Sequence, residues 1–114
     1  MTRTTVYYDG ACPVCSREIA QYKRARGAEN LQFIDVAACD AATLGNDLTR
    51  EDALAAMHVR RPDGTLVRGA RAFGDIWAAL PAFRPLAWAM RLPGAGWLAD
   101  LGYAGFLRVR RMWR

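Results

Sequence analysis

The chain has 114 residues, of which 53% are hydrophobic, a formal net charge of +5 and three cysteines. That length bounds one domain able to bury a core without disulfides, and three cysteines make no disulfide framework. No uncharged apolar run reaches the ~18 residues of a membrane span, because Asp75, Arg84, Arg91 and Asp100 interrupt the apolar second half.

In chain order, residues 4–8 predict a strand, β-branched and aromatic, ended by Asp9-Gly10. No apolar leader with a small-residue cleavage site precedes it, so the expected compartment is the reducing cytoplasm. Residues 13–26 predict a helix. Pro13 suits its first position, where the missing N–H costs nothing. Cys15, Ile19 and Tyr22 share one face, and Gly27 is placed to end the helix. Residues 31–36 predict a second strand, parallel to the first through a right-handed crossover. A possible short helix stops near Gly45, and Thr49-Arg50-Glu51-Asp52 has the form of a capping box.

The alternating runs 57–60 and 65–68 flank Pro62-Asp63-Gly64, which predicts a β-hairpin. Ala72, Phe73, Ile76, Trp77 and Leu80 make a helical stripe closed by Pro81. A further helix starts around Pro85 and breaks at Pro93-Gly94. The last helical segment, 95–111, carries Trp97, Leu98 and Leu101, and its Gly102 and Gly105 weaken it. Phe73, Trp77 and Trp88 are expected in the core. Arg108, Arg110, Arg111 and Arg114 crowd the last seven residues and read as a solvated helix end that complements the helix dipole. No nucleic-acid motif accompanies them. A basic terminus with Trp97, Tyr103 and Trp113 could also touch a membrane surface.

Cys12-Pro13-Val14-Cys15 marks the strand-to-helix junction. Cys12 stands at the N-cap, where unpaired backbone N–H groups and the positive end of the helix dipole favour a thiolate. Cys15, one turn on, is expected to be the more buried. That asymmetry makes Cys12 the nucleophile on a substrate disulfide and Cys15 the resolving thiol. Asp9 can serve as an Asx-turn acceptor, the reading its spacing favours, or relay a proton for Cys15. Cys12, Cys15, Cys39 and His58 fit no familiar zinc spacing, so no metal or organic cofactor is expected. Cys39 and His58 read as structural.

The order β-α-β, hairpin, helix predicts an α/β, thioredoxin-like fold with a four-stranded mixed sheet flanked by helices. The expectation is one domain over 1–114, with a core of about 4–81 and a C-terminal helical extension of about 84–111. The run Tyr7-Tyr8-Asp9-Gly10-Ala11-Cys12-Pro13-Val14-Cys15 resembles the opening motif of the DCC family of thiol–disulfide oxidoreductases, whose aspartate and two cysteines fall on Asp9, Cys12 and Cys15. The likeness continues through the hairpin 63–69 into the helix led by Ala72. It implies the thioredoxin-like fold, a redox role for the two cysteines, and more weight for Asp9, with Gly10 and Pro13 supporting the motif.

Two departures stand out. Gly69-Ala70-Arg71-Ala72 lacks the serine and aspartate that relatives often carry there. No proline lies in 52–57, ahead of the third strand, where thioredoxins place one against the cysteines. Cys-Pro-x-Cys is also the glutaredoxin form, so the expected partner is a disulfide-containing protein or a small thiol such as glutathione. The function expected is thiol–disulfide exchange. The same residues leave open a metal or iron–sulfur cluster protein using these cysteines, and a redox-silent module with a basic, membrane-facing C-terminus.

Overall fold

A computed structural model describes residues 3–113, without the side chains of Ala41 and Trp113. Arg114 and the Trp113 side chain, assigned above to the basic aromatic terminus, therefore lie outside the described residues. The elements run β1 (Thr4–Tyr8), α1 (Pro13–Arg24), β2 (Leu31–Asp35), α2 (Arg50–Ala55), β3 (His58–Arg60), β4 (Leu66–Arg68), α3 (Ala70–Ala79), α4 (Arg84–Ala89) and α5 (Ala95–Trp113), with short 3-10 turns at Ala28–Asn30, Ala41–Leu44 and Pro81–Phe83. The architecture is the expected one, α/β with a four-stranded mixed sheet in the order β2-β1-β3-β4. β1 pairs parallel with β2 and antiparallel with β3, which continues antiparallel into β4.

The alternation of β1 sorts the core into two layers, since successive strand side chains point to opposite faces. Val6 joins Ile19, Tyr22, Leu31, Val59, Ile76 and Leu80, so α1 and α3 cover one face. Tyr7 joins Val36, Leu44, Leu48 and Ala53 beneath α2 and the loop before it. α1 ends at Arg24, two residues before the predicted limit, and is capped by Ala25, whose amide donates to Tyr22 O. Gly27, with φ 91°, instead turns the chain into the next 3-10 turn. Thr49 caps α2 as predicted, accepting from the Asp52 amide at 3.1 Å.

His58 is buried on β3, with Nδ1 2.9 Å from Ala56 O, so the neutral ring donates there. Burial holds its pKa below the ordinary value, and the nearby Arg68 charge acts in the same direction. The unfolded chain therefore binds more protons between that lowered value and about 6.5. The contribution of the neutral ring is whole above about pH 6.5 and declines as pH falls through it. A His58→Asn chain keeps a donor for Ala56 O, and its melting temperature is expected to fall less than the parent's between pH 7.5 and 5.5.

One expectation about the C-terminal helices fails: Trp88 is 64% exposed rather than core. Trp97, Leu98 and Leu101 on α5 also face outward, with Trp97 at 66%. α5 packs by a different face. Tyr103 meets Phe73 edge-on with ring centroids 5.8 Å apart, and its hydroxyl accepts the Met57 amide at 2.7 Å. Because α5 is apolar on several sides, its hydrophobic pattern does not single out the packing face.

Candidate active site

The loop between β1 and α1 is held from three sides. Asp9 Oδ1 accepts the Ala11 amide at 3.0 Å, the Asx-turn role that its spacing favoured. Asp35 lies opposite Tyr8 in the parallel pair. Its Oδ1 accepts the Gly10 amide at 2.9 Å and the Ala37 amide at 3.0 Å. The Ser16 hydroxyl donates to Gly10 O at 2.8 Å, tying the loop to the first turn of α1. A Cβ on Gly10 would stand 2.0 Å from Asp35 Oδ2, so only glycine lets the carboxylate approach the backbone this closely.

Cys12 is the N-cap of α1 and Pro13 opens the helix, as predicted. The Cys12 sulfur accepts the Cys15 amide at 3.5 Å. The expected order of burial is reversed: Cys12 is 0% exposed and Cys15 is the half-buried one. The cap bond folds the Cys12 sulfur back against the first turn of α1. Both thiols are free. Burial pushes the Cys15 thiol up to about 11, and its hydrogen bond with Cys12 acts in the same direction. A guanidinium opposes both effects.

That guanidinium belongs to Arg110, which is no solvated helix end. It is 6% exposed. Its Nη2 donates to Leu54 O at 2.6 Å and Ala55 O at 3.1 Å, which end α2, and its Nη1 lies 3.6 Å from the Cys15 sulfur. A buried cation needs such partners. Here two carbonyls fix it and leave one edge for the thiol. With the Tyr103 bond to Met57, α5 is fastened to the junction of α2 and β3, the stretch where no proline stands.

Between α1, that junction, α3 and α5 lies a chamber of about 210 Å³. Cys15, Asp9, Glu18 and Arg110 border it, and its other walls are mostly aliphatic and aromatic. Glu18 accepts from the Tyr22 hydroxyl at 2.6 Å, which in turn accepts from Trp77 Nε1 at 2.9 Å.

A sequence model of the DCC1-like thiol-disulfide oxidoreductase family matches residues 6–114. The chain belongs to that family. No curated protein and no solved structure matches it.

In this DCC1-like chain the motif residues Asp9, Gly10, Cys12, Pro13 and Cys15 come together at one end of the sheet, and the family match extends through α5. Cys39 stands apart, packed against the layer of Tyr7, Val36 and Leu44, with its sulfur 3.9 Å from Val36 O. Among the described residues no three His, Cys, Asp or Glu side chains gather as a ligand set, and no helix is long and apolar enough to cross a membrane. Sequence reading missed Asp35, Ser16, Glu18 and Arg110. Asp35 had a usable signal, a carboxylate at the end of the strand parallel to the motif strand. Arg110 had a weaker one, its spacing of seven from Tyr103, two helical turns on the same face.

Proposed function

We propose that the chain exchanges disulfides at the Cys12–Cys15 pair, and that Cys15 is the sulfur that meets the substrate. One observation carries the choice: Cys15 borders the chamber and is partly exposed, while Cys12 is sealed. Membership of a thiol-disulfide oxidoreductase family supports the reaction class. The Cys15 thiolate attacks one sulfur of a substrate R–S–S–R′. The Cys15–S–S–R bond forms as the substrate S–S bond breaks, and R′ leaves as a thiolate. The Cys12 thiolate then attacks the Cys15 sulfur, which closes the Cys12–Cys15 disulfide and releases R as a thiolate. The two cysteine protons end on the two departing thiols, and two electrons pass from the pair to the substrate. Run in reverse, the pair oxidises a dithiol. Asp9 orients the loop, and its carboxylate borders the chamber into which the Cys15 proton must leave.

A second assignment has its own support. Cys12 holds the N-cap and its sulfur receives the Cys15 amide, so it lies against the unpaired N–H groups of the helix start. Trapping separates the two. With a model protein disulfide, Cys12→Ser is expected to accumulate a mixed disulfide on Cys15, located by peptide mass, and Cys15→Ser is expected to show none. Accumulation on Cys12 in Cys15→Ser would reverse the roles. Reduction at the parent's rate by both variants would remove exchange chemistry altogether.

A further inference from the structure

We infer that the chamber beside Cys15 receives an apolar group, about the size of an aromatic ring, on one arm of the disulfide substrate; this rests on exchange at Cys15. The volume fits. Apolar cavities of about 150 Å³ hold a benzene ring, and this one measures about 210 Å³. The walls fit as well, being built from Val14, Ala56, Met57, Phe73, Tyr103 and Phe106.

The charges around it argue against an ionic occupant. Arg110 is the one cation among the bordering residues, and it is committed to two backbone carbonyls and the Cys15 sulfur. Asp9 and Glu18 are the other ionisable carboxyls there. The carboxylates of a glutathione arm would meet those acids, the two tyrosines or apolar side chains, with no uncommitted cation among the bordering residues and Lys23 outside, against the Tyr8 hydroxyl, and charge left unpaired in such a place is costly. A neutral apolar arm loses only its contact with water. Seated in the chamber, it would hold its own sulfur beside Cys15 and make the encounter effectively intramolecular.

Alkylation tests the subsite without requiring exchange. In a Cys12→Ser, Cys39→Ser chain, the rate at Cys15 is measured with N-benzyl-iodoacetamide and with iodoacetamide, both uncharged. The ratio of the two rates cancels any change in thiolate fraction. It is expected to exceed the ratio for free cysteine about tenfold. It should drop towards the free value in Val14→Asn, whose position is 40% exposed, and in Phe106→Ala, each checked for native circular dichroism. A parent ratio equal to that of free cysteine overturns the inference, as does a ratio that both variants leave unchanged.

A parallel assay compares reduction of a benzylamide-capped cysteine disulfide with that of glutathione disulfide by the parent. Faster reduction of the benzylamide compound supports the inference. A high alkylation ratio with no reduction of either disulfide keeps the subsite and removes exchange. A ratio at the free value with both disulfides reduced equally keeps exchange and removes the subsite.

Discussion

Replacing Arg110 by glutamine is expected to slow iodoacetamide alkylation of Cys15 about tenfold at pH 8, again with Cys12 and Cys39 changed to serine. A cation within about 4–6 Å of an acid lowers its pKa by roughly 1–3 units, and Nη1 stands 3.6 Å from the sulfur. Below the thiol pKa the rate follows the thiolate fraction, and each unit lost costs about a factor of ten. The sign of the change separates two roles. If Arg110 only fastened α5 to Leu54 O and Ala55 O, its loss would uncover Cys15, relieve the burial that raises its pKa, and speed alkylation. A slower reaction, with most of the rate restored by Arg110→Lys, identifies direct electrostatic control of the sulfur.

The second large effect belongs to Gly10. Gly10→Ala places a methyl where the Asp35 carboxylate lies, 2.0 Å from Oδ2, and no rotation of a methyl relieves that. The carboxylate must withdraw and give up its bonds to the Gly10 and Ala37 amides. Overpacking costs about 1–3 kcal/mol and each lost hydrogen bond about 1 kcal/mol. A loss of about 3 kcal/mol, or a melting temperature about 10 °C lower, is therefore expected. Since the two residues share one contact, Gly10→Ala combined with Asp35→Ala should cost clearly less than the two changes summed. A Gly10→Ala chain melting within about 2 °C of the parent would mean that the carboxylate does not brace the loop.

The parts legible in the sequence are those decided by near neighbours. Pro13 marks where α1 begins, Thr49 caps α2 through an amide three residues away, and Pro62-Asp63-Gly64 turns between strands whose alternation is visible. The motif from Asp9 to Cys15 is equally local. What escaped notice depends on contacts between distant segments. The loop that leads into Cys12 is braced by Asp35, 25 residues beyond Gly10. The role of Arg110 exists only once α5 lies across the end of α2. In sequence it stands among other arginines and suggests a wet helix end. On α5 the outward residues Trp97, Leu98 and Leu101 are as apolar as the inward Tyr103 and Phe106, so pattern alone could not choose the packing face.

The 95 residues that separate Cys15 from Arg110 also set an order of events during synthesis. A ribosome finishes both sulfurs, the sheet and α3 well before it adds the 19 residues of α5. Until then the nascent chain carries its thiol pair without the counter-charge or the roof that later governs it. On the exchange reading proposed above, the site is complete only once α5 has docked, and a change that delays that docking is expected to leave Cys15 open to chance oxidants.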